Sequence, residues 1–542
     1  MYCDAGAGEA IQLNVGLQAL LGLGVAHICE LETASARDAI ACQLLVGQVP
    51  TRLVIVATQL LTDLHLAILR AIKVHPQASS CLILSAVSAA AHTSQPSTML
   101  GPDAFGEYQA ALQEDLSEVR AREEGPAGAG SIDIQVRYFA LQACVLDGGA
   151  FVLPASSAAA TAPRIGGSAA GWATASGRHQ ADQELDAAES VGLQLLAHAL
   201  VSFAADLNLR VDTFTVGPAS HRLGEELCAL PVPDGPTGGP PTETASLVLV
   251  DRSLDLVTPA SHPDHLLDQI FGSLPRRPSG RRTSQTDTLT ADRQSRQWME
   301  FLISRQGKDA ALFLRKWLRE GVRKEGMQTK MRFKTGAASP AELQALAELL
   351  AASPQAVLNQ GTIMQIGFAA AAALQGAGAE KWDMLAKQEK QLLLLSGEGT
   401  ASIASELQDL VRVASTAQAA ADLTLRDVLL LAVTGYSLAG EMALVGEVAE
   451  GASPFPPADE RNFKDALISA ILNGNPSKQP KAGDHNTVIM FVVGGIGVTE
   501  LREVRQEIEE KQAAGIGAGM KFIVGGTSLL APQDVAGHLL LS

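Results

Sequence analysis

The C-terminal part of the chain carries the pattern that most restricts its possible folds. Two apolar, β-rich runs, "TVIMFVVGG" at 487–495 and "KFIVGG" at 521–526, flank one charged helical pattern, and such a unit is too small to form a stable sheet alone. An equally apolar strand, "SLVLVD", ends at Asp251, but the residues from about 260 to 450 show only helical patterns. We therefore expect the C-terminal strands to rejoin the sheet that contains 246–251, with an all-helical domain inserted between its two halves.

A separate sheet is predicted nearer the N-terminus. The runs "RLVIVAT" at 52–58 and "CLILSAVS" at 81–88 are apolar on both faces, as buried parallel strands require, and amphipathic patterns alternate with them. "GPAGAG" at 125–130 marks a break, after which "IQVRYFALQACVLDGGAFVLP" predicts a strand, a polar turn and another strand. The low-complexity residues 155–181 predict a flexible loop, and the turn formers at 231–244 predict a linker.

These patterns predict an α/β chain of three domains: two with parallel sheets and one inserted and all-helical. A length of 542 residues fits about three domains, and 47% hydrophobic against 18% charged residues allows large buried cores. The expected boundaries are 1–124 for the N-terminal α/β domain, 131–258 with 484–542 for the discontinuous middle α/β domain, and 259–475 for the helical domain.

Charge and cysteine usage exclude several classes of protein. With 41 basic and 58 acidic residues the net charge is −17, which argues against nucleic acid as the main partner and against broad adhesion to anionic lipid. The six cysteines are scattered without a CxxC pair, which predicts reduced thiols in an intracellular protein. No basic residue precedes Arg37, so we expect no signal peptide, and the polar residues within 357–379 favour a buried helix over a membrane span. We expect a cytoplasmic protein.

Aspartates and histidines crowd the segment that follows the strand at 246–251. The carboxyl ends of parallel strands are where sites form in α/β proteins, so one interpretation is an acid–base or metal site at Asp251, Asp255, His262, Asp264 and His265. Against it, Arg252 can neutralise the aspartates beside it, and two prolines keep the histidines off a common helical face. We favour a domain-joining ion-pair turn formed by Asp251, Arg252, Asp255, Thr258 and Pro259, and we expect no catalytic, cofactor-binding or metal-binding residue.

The glycine-rich stretch "VVGGIGVTELRE" at 492–503 is similar to a nucleotide-binding loop between a strand and a helix. A dinucleotide fingerprint that starts at Gly495 would need a third glycine where Glu500 stands, at the point where a pyrophosphate approaches the helix. The sequence therefore favours a tight turn followed by a helix with Thr499 as its N-cap.

Two basic segments stand out in this acidic chain, "LPRRPSGRR" at 274–282 and "VRKEGMQTKMRFK" at 322–334. Such runs are usually solvent-exposed loops, which is one interpretation of the second segment. The other is a contact surface for an acidic partner helix, formed by Arg323, Lys330, Arg332 and Lys334.

Several segments, in order, resemble the SM (Sec-one/Munc-eighteen) family of SNARE-binding proteins. "LVLVDRSLDLVTPASH" resembles its D-R-S-x-D-x-x-T-P segment, and "TLRDVLLLAVTGYSLAGE" is similar to its leucine-rich helix. "NTVIMFVVGGIGVTELREVR" and "KFIVGGTSLLAPQDV" resemble its closing strands, and the nearest branch is the divergent Sec-one-family-domain-containing protein two.

The resemblance implies a three-domain arch that regulates membrane fusion in vesicle-mediated transport, without catalysis or a cofactor. Its partners would be syntaxin-type SNAREs or SNARE bundles, and possibly a tethering complex that brings it to endomembranes. By position it places Arg315, Trp317 and Arg319 near the SNARE-facing surface, beside the basic segment. Family members have a full first strand where this chain has three residues before Asp4, so we expect a shortened strand and an altered site for a syntaxin N-terminal peptide.

Two other functions stay open at this stage. One is a tethering-complex scaffold that has the SM fold but does not bind SNAREs directly. The other is a Rossmann-type nucleotide-binding enzyme.

Overall fold

The computed structural model describes residues 1–46, 51–124, 132–153, 187–235, 238–273, 293–328, 336, 338–415, 423–439 and 482–541. The strands are β1 (Tyr2–Cys3), β2 (Cys29–Glu30), β3 (Arg52–Ala57), β4 (Ser80–Ser85), β5 (Asp133–Tyr138), β6 (Cys144–Asp147), β7 (Ala150–Val152), β8 (Leu209–Val216), β9 (Glu243–Asp251), β10 (Thr487–Val493), β11 (Ile496–Gly497), β12 (Lys521–Gly526) and β13 (Leu529–Leu530). The helices are α1 (Ala5–Asn14), α2 (Leu17–Gly22), α3 (Ala36–Val46), α4 (His65–Lys73), α5 (Ala89–Ser94), α6 (Ala104–Glu124), α7 (Ala187–Asp206), α8 (Pro218–Ala229), α9 (Val257–Ala260), α10 (Leu266–Ser273), α11 (Arg293–Ser304), α12 (Gly307–Lys324), α13 (Pro340–Ala351), α14 (Pro354–Ala373), α15 (Gly376–Ser396), α16 (Thr400–Ala414), α17 (Leu425–Ala439), α18 (Val498–Ala513) and α19 (Pro532–Leu541).

The first sheet is parallel throughout, with strand order β2-β1-β3-β4-β5. Its central strands bury Ile55 and Ile83 completely, and these pack with Ile68 of α4 and Leu112 of α6 in one hydrophobic cluster. Burial on both faces of a parallel sheet explains why the strands are apolar without alternation.

Strand β5 corrects one expected domain boundary. The expected middle domain includes residues 131–258, yet Asp133–Tyr138 pairs in parallel with Ser80–Ser85 at the edge of the first sheet. That assignment is wrong for β5, because an alternating strand pattern specifies a strand but not the sheet that it joins. The antiparallel hairpin of β6 and β7 begins the next sheet, and the remaining domain boundaries stay a prediction.

The second sheet combines segments from distant parts of the chain, in the order β6-β7-β12-β10-β9-β8. Strand β10 lies between β9 and β12, and β12 pairs with β7, all in parallel register. Phe491 of β10 is fully buried and stacks on Phe151 of β7, with their ring centroids 6.0 Å apart. Strands β10 and β12 therefore complete the sheet that contains β9, while β11 and β13 pair with each other, and the predicted α/β class with parallel sheets is confirmed.

Helices α9 to α17 follow β9 and precede β10, and the described residues between 257 and 439 contain no strand. Their core includes Leu314, Leu318, Leu343 and Leu346, which belong to the largest buried cluster among the described residues. Helix α13 begins at a capping box, in which the Ser339 hydroxyl accepts from the Glu342 N–H at 3.3 Å and Glu342 accepts from the Ser339 N–H at 3.2 Å.

Among the described helices, no single one combines the length and apolar composition needed to cross a membrane. Helices α14 and α15 meet that criterion only as a pair, and they are bent by 67° relative to each other.

Candidate functional site

Arg252 is the centre of the turn that follows β9. Its guanidinium is buried and donates to the Glu500 carboxylate at 2.6 Å, to the Gly495 carbonyl oxygen at 3.2 Å and to the carbonyl oxygen of Asp255. Glu500 lies in the first turn of α18, so this ion pair connects the end of β9 to a helix on the C-terminal side of the inserted helices.

The expectation that Arg252 neutralises Asp251 is wrong. The Asp251 carboxylate instead accepts from the backbone N–H groups of Ala219 at 2.9 Å and Ser220 at 2.6 Å, at the N-terminus of α8. It also accepts from the Ser220 hydroxyl at 2.5 Å. Burial raises the pKa of Asp251, and these hydrogen bonds oppose that shift. The carboxylate at the end of β9 therefore caps the N-terminus of α8.

Asp255 and Pro259, further along the turn, also make contacts within the fold. The Asp255 carboxylate accepts from the N–H groups of Val257 and Thr258, each at 3.0 Å, and so caps the short helix α9. Pro259 is buried and lies beside Gly497, where an added Cβ would meet it at 3.5 Å. Asp255 therefore caps α9, and Pro259 packs against the residue before α18, while the domain-joining role of the turn stays a prediction.

The glycine-rich stretch forms a tight turn that leads into α18. Helix α18 begins at Val498 with Gly497 as N-cap, so the prediction of Thr499 as N-cap is wrong. The Glu500 carboxylate accepts from the Gly497 N–H at 2.8 Å while it pairs with Arg252. A carboxylate of the protein itself thus occupies the helix N-terminus, where a bound phosphate would have to lie.

Thr499 contributes a second contact between α18 and the inserted helices. Its hydroxyl donates to the Asp268 carboxylate of α10 at 2.6 Å, and Arg502 pairs with the same carboxylate at 3.0 Å. Asp268 is itself buried. Arg502 balances its charge, and Thr499 supplies a hydrogen bond, where α10 meets α18.

His262 of the polar cluster contacts helix α15 of the inserted helices. His262 is buried, and its Nδ1 lies 2.6 Å from the Glu389 carboxylate of α15, while its ring packs edge-on against Trp382 with centroids 4.6 Å apart. The Trp382 indole N–H donates to the Pro263 carbonyl oxygen at 3.2 Å. Within the described stretches, no group of three or more His, Cys, Asp or Glu side chains is placed to hold a metal ion.

The candidate partner-binding residues of α12 differ in their environments. Arg315 is only 12% exposed and donates to Glu342 of α13 at 2.9 Å, so it holds α12 against its neighbour. Arg319 and Arg323 are exposed. Trp317 is partly buried. The other candidates, Lys330, Arg332 and Lys334, lie outside the described residues, as do the basic segment 274–282 and the loop 155–181.

An aromatic patch on α11 and α12 was missed in the sequence. Trp317 packs against Phe301, with ring centroids 5.2 Å apart, and against Trp298 at 5.8 Å, while Phe313 lies 4.4 Å from Phe301. Arg305 lies over the Phe301 ring at 5.3 Å. The sequence contains a signal for this patch: Trp298 and Phe301 are three residues apart on α11, and Phe313 and Trp317 are four apart on α12. Each pair therefore lies on one face of its helix.

No family model matches the chain. The Sec1 family domain-containing protein MIP3 of Arabidopsis thaliana is 27% identical over an alignment that is 608 positions long with its gaps and that covers 88% of this chain and 70% of that protein. The Sec1 family domain-containing protein 2 of Mus musculus is 26% identical over 48% of this chain and 41% of its own length. Its Homo sapiens counterpart is 24% identical over 52% of this chain and 44% of its own length. The chain therefore spans less than half of the two mammalian relatives.

Solved structures show the same fold. The crystal structure of Sly1p in complex with an N-terminal peptide of Sed5p matches 99% of this chain and 90% of Sly1p, with a TM-score of 0.52 and 13% identity. The SM protein Vps45 in complex with the Qa SNARE Tlg2 matches 99% of this chain and 93% of Vps45, with a TM-score of 0.50 and 13% identity. In sequence the chain is similar to Sec1 family domain-containing proteins, protein 2 included, and in fold to SM proteins, which confirms the resemblance to the SM family.

Proposed function

We propose that the protein is an SM-type regulator of vesicle-mediated transport that binds syntaxin-type SNARE helices and controls membrane fusion. The fold carries this proposal, because nearly the whole chain matches Sly1p and Vps45, whose structures contain a Sed5p peptide and the Qa SNARE Tlg2. The sequence similarity to Sec1 family domain-containing proteins supports it. The protein would act without catalysis, in the cytoplasm, and would reach endomembranes through its partners.

The internal contacts support a binding role over a catalytic one. The polar groups at the end of β9 are used for caps and ion pairs, as Asp251 and Arg252 illustrate. Buried charges that are paired and hydrogen-bonded hold elements together, whereas an acid–base site needs groups within reach of a substrate.

Helix α12 supplies the basic side of the proposed partner-binding surface. It carries six basic and two acidic residues in a chain whose net charge is −17. Arg319 and Arg323 are exposed and stand four residues apart, so they lie on one side of the helix. A positive helix on an otherwise acidic protein suits an acidic partner helix, and such charge matching raises the association rate and the specificity.

A charge-reversal variant of the basic segment 322–334 tests the proposal. We expect the triple change Arg323→Glu, Lys330→Glu and Lys334→Glu to weaken binding to a cognate syntaxin-type SNARE domain by about tenfold or more, since three attractive charges become repulsive. Isothermal titration calorimetry would measure the Kd, and differential scanning fluorimetry would show whether Tm stays unchanged.

A matched control distinguishes an effect of these three positions from an effect of the change in net charge. The variant Arg52→Glu, Arg210→Glu and Lys521→Glu changes the same number of charges at exposed strand positions. Equal affinity of the first variant and the wild type, or equal losses in both variants, would contradict the assignment of this surface.

A further inference from the structure

A cavity of about 330 Å³ lies where the first and second sheets meet, and it has no part in the function proposed above. It is bounded by the end of α1, the segment between β5 and β6, the start of β6 and the C-terminal end of α7. Its larger apolar lining residues are Val15, Phe139, Leu141, Val145, Phe203 and Leu207. The volume is at the lower end of the range for sites that bind small ligands or single anchoring side chains.

Three of these apolar side chains remain exposed to solvent. Phe139 is 42% exposed, Val145 is 37% exposed and Leu207 is 42% exposed, although Leu207 lies far from the other two in sequence. Single exposed apolar residues are common on protein surfaces, but their convergence around one concavity is typical of a binding site.

Backbone groups beside the cavity already have hydrogen-bond partners, which restricts what can bind there. Strand β6 lies at the edge of the second sheet, and the Asn14 side chain covers that edge. Asn14 Nδ2 donates to the Ala143 carbonyl oxygen at 2.6 Å, and Asn14 Oδ1 accepts from the Val145 N–H at 3.1 Å. An incoming strand would have to displace Asn14, so the available interactions are those of side chains.

A carboxylate at the cavity wall adds a charge requirement. Asp206, the last residue of α7, lines the cavity and accepts from the Tyr138 hydroxyl at 3.0 Å. No basic side chain of the described stretches pairs with it. An acidic group at the edge of an apolar cavity favours a cation that is attached to an apolar group.

We propose that this cavity binds a partner peptide that inserts one large apolar side chain and places an adjacent Lys or Arg on Asp206. The apolar side chain would contact Phe139, Val145 and Leu207, and the basic residue would form an ion pair with the carboxylate. The charge match with Asp206 selects this class of peptide over an acidic one.

Methyl NMR titration tests the proposal on the full chain with labelled Val and Leu methyl groups. The probes are the capped peptides acetyl-Gly-Phe-Arg-Gly-amide and acetyl-Gly-Phe-Glu-Gly-amide, which differ only in the charge beside the anchor. We expect saturable shifts of the Val15, Leu141, Val145 and Leu207 methyl groups, with an affinity for the Arg peptide about fivefold higher or more.

Two variants and a control complete the experiment. Asp206→Asn keeps an acceptor for the Tyr138 hydroxyl and should abolish the preference for the Arg peptide. Leu207→Ser should lower the affinity for both peptides. Leu66→Ser changes an exposed leucine of α4 that does not line the cavity, and it should bind like the wild type. Shifts confined to other methyl groups, no shifts at millimolar peptide, or a charge preference that survives in Asp206→Asn would overturn the proposal.

Discussion

Replacing Arg252 with Met tests whether the junction between β9 and α18 depends on its buried ion pair. The side chains of Arg252 and Glu500 are 4% and 6% exposed, and their charged atoms are 2.6 Å apart. The substitution leaves the Glu500 carboxylate buried without its cation and removes the donors to Gly495 and Asp255. Breaking a buried pair from one side costs about 3–5 kcal/mol, so we expect a loss of that size in the free energy of unfolding.

The second substitution, Glu500→Gln, makes the test specific. Gln keeps an acceptor for the Gly497 N–H but removes the negative charge, so it relieves the unpaired carboxylate that Arg252→Met creates. We therefore expect the double variant to be more stable than Arg252→Met alone by about 1–2 kcal/mol, although Glu500→Gln destabilises the wild type. The non-additivity is the signature of a direct interaction.

Urea unfolding followed by far-UV circular dichroism measures the four variants of this cycle. The variants are compared by their transition midpoints at equal slope, because a chain of several domains need not unfold in two states. A loss below about 1 kcal/mol for Arg252→Met, or additive effects of the two substitutions, would refute the reasoning.

Two further predictions concern stability. Because burial raises the pKa of Asp251 above its ordinary value of 3.8, the contribution of this group to stability is present below that value and is lost as the pH rises through the folded-state pKa. Relative to the wild type, Asp251→Asn should therefore gain stability as the pH rises, and parallel urea midpoints of the two proteins across acid and neutral pH would contradict this. Gly272→Ala should cost about 1–3 kcal/mol in unfolding free energy, since its Cβ would overlap the Trp382 ring, and calorimetry would measure the loss. Gly378→Ala in α15, where the new Cβ has only a 3.9 Å contact, is the control and should be neutral or slightly stabilising.

The fold class was predictable from the sequence because the C-terminal unit is too small to form a sheet of its own. Two C-terminal strands cannot form a stable sheet alone, and the structure pairs β10 with β9 and β12 with β7. The sheet membership of β5 was not predictable in this way. Its pattern specifies a strand that is buried on one side, but the pairing partner is decided by packing between distant segments.

The candidate site was less predictable than the fold. The sequence favours an architectural turn after β9, but the partner of Arg252 is Glu500, which is 248 residues away in sequence, and no local pattern indicates such a pair. The neighbouring aspartate was the wrong partner because Asp251 is held at the N-terminus of α8, where backbone N–H groups attract a carboxylate. The aromatic patch needed the relative placement of α11 and α12, which only the folded chain provides.

Titration of the purified protein against a panel of cytoplasmic syntaxin-type SNARE domains, alone and in assembled bundles, tests the central claim most directly. We predict saturable binding to at least one member of the panel, which the triple charge reversal at Arg323, Lys330 and Lys334 weakens. The absence of binding across the whole panel, with a protein that unfolds cooperatively, would contradict a SNARE regulator. That result, together with stable co-purification with a tethering complex, would favour a scaffold that uses the same fold.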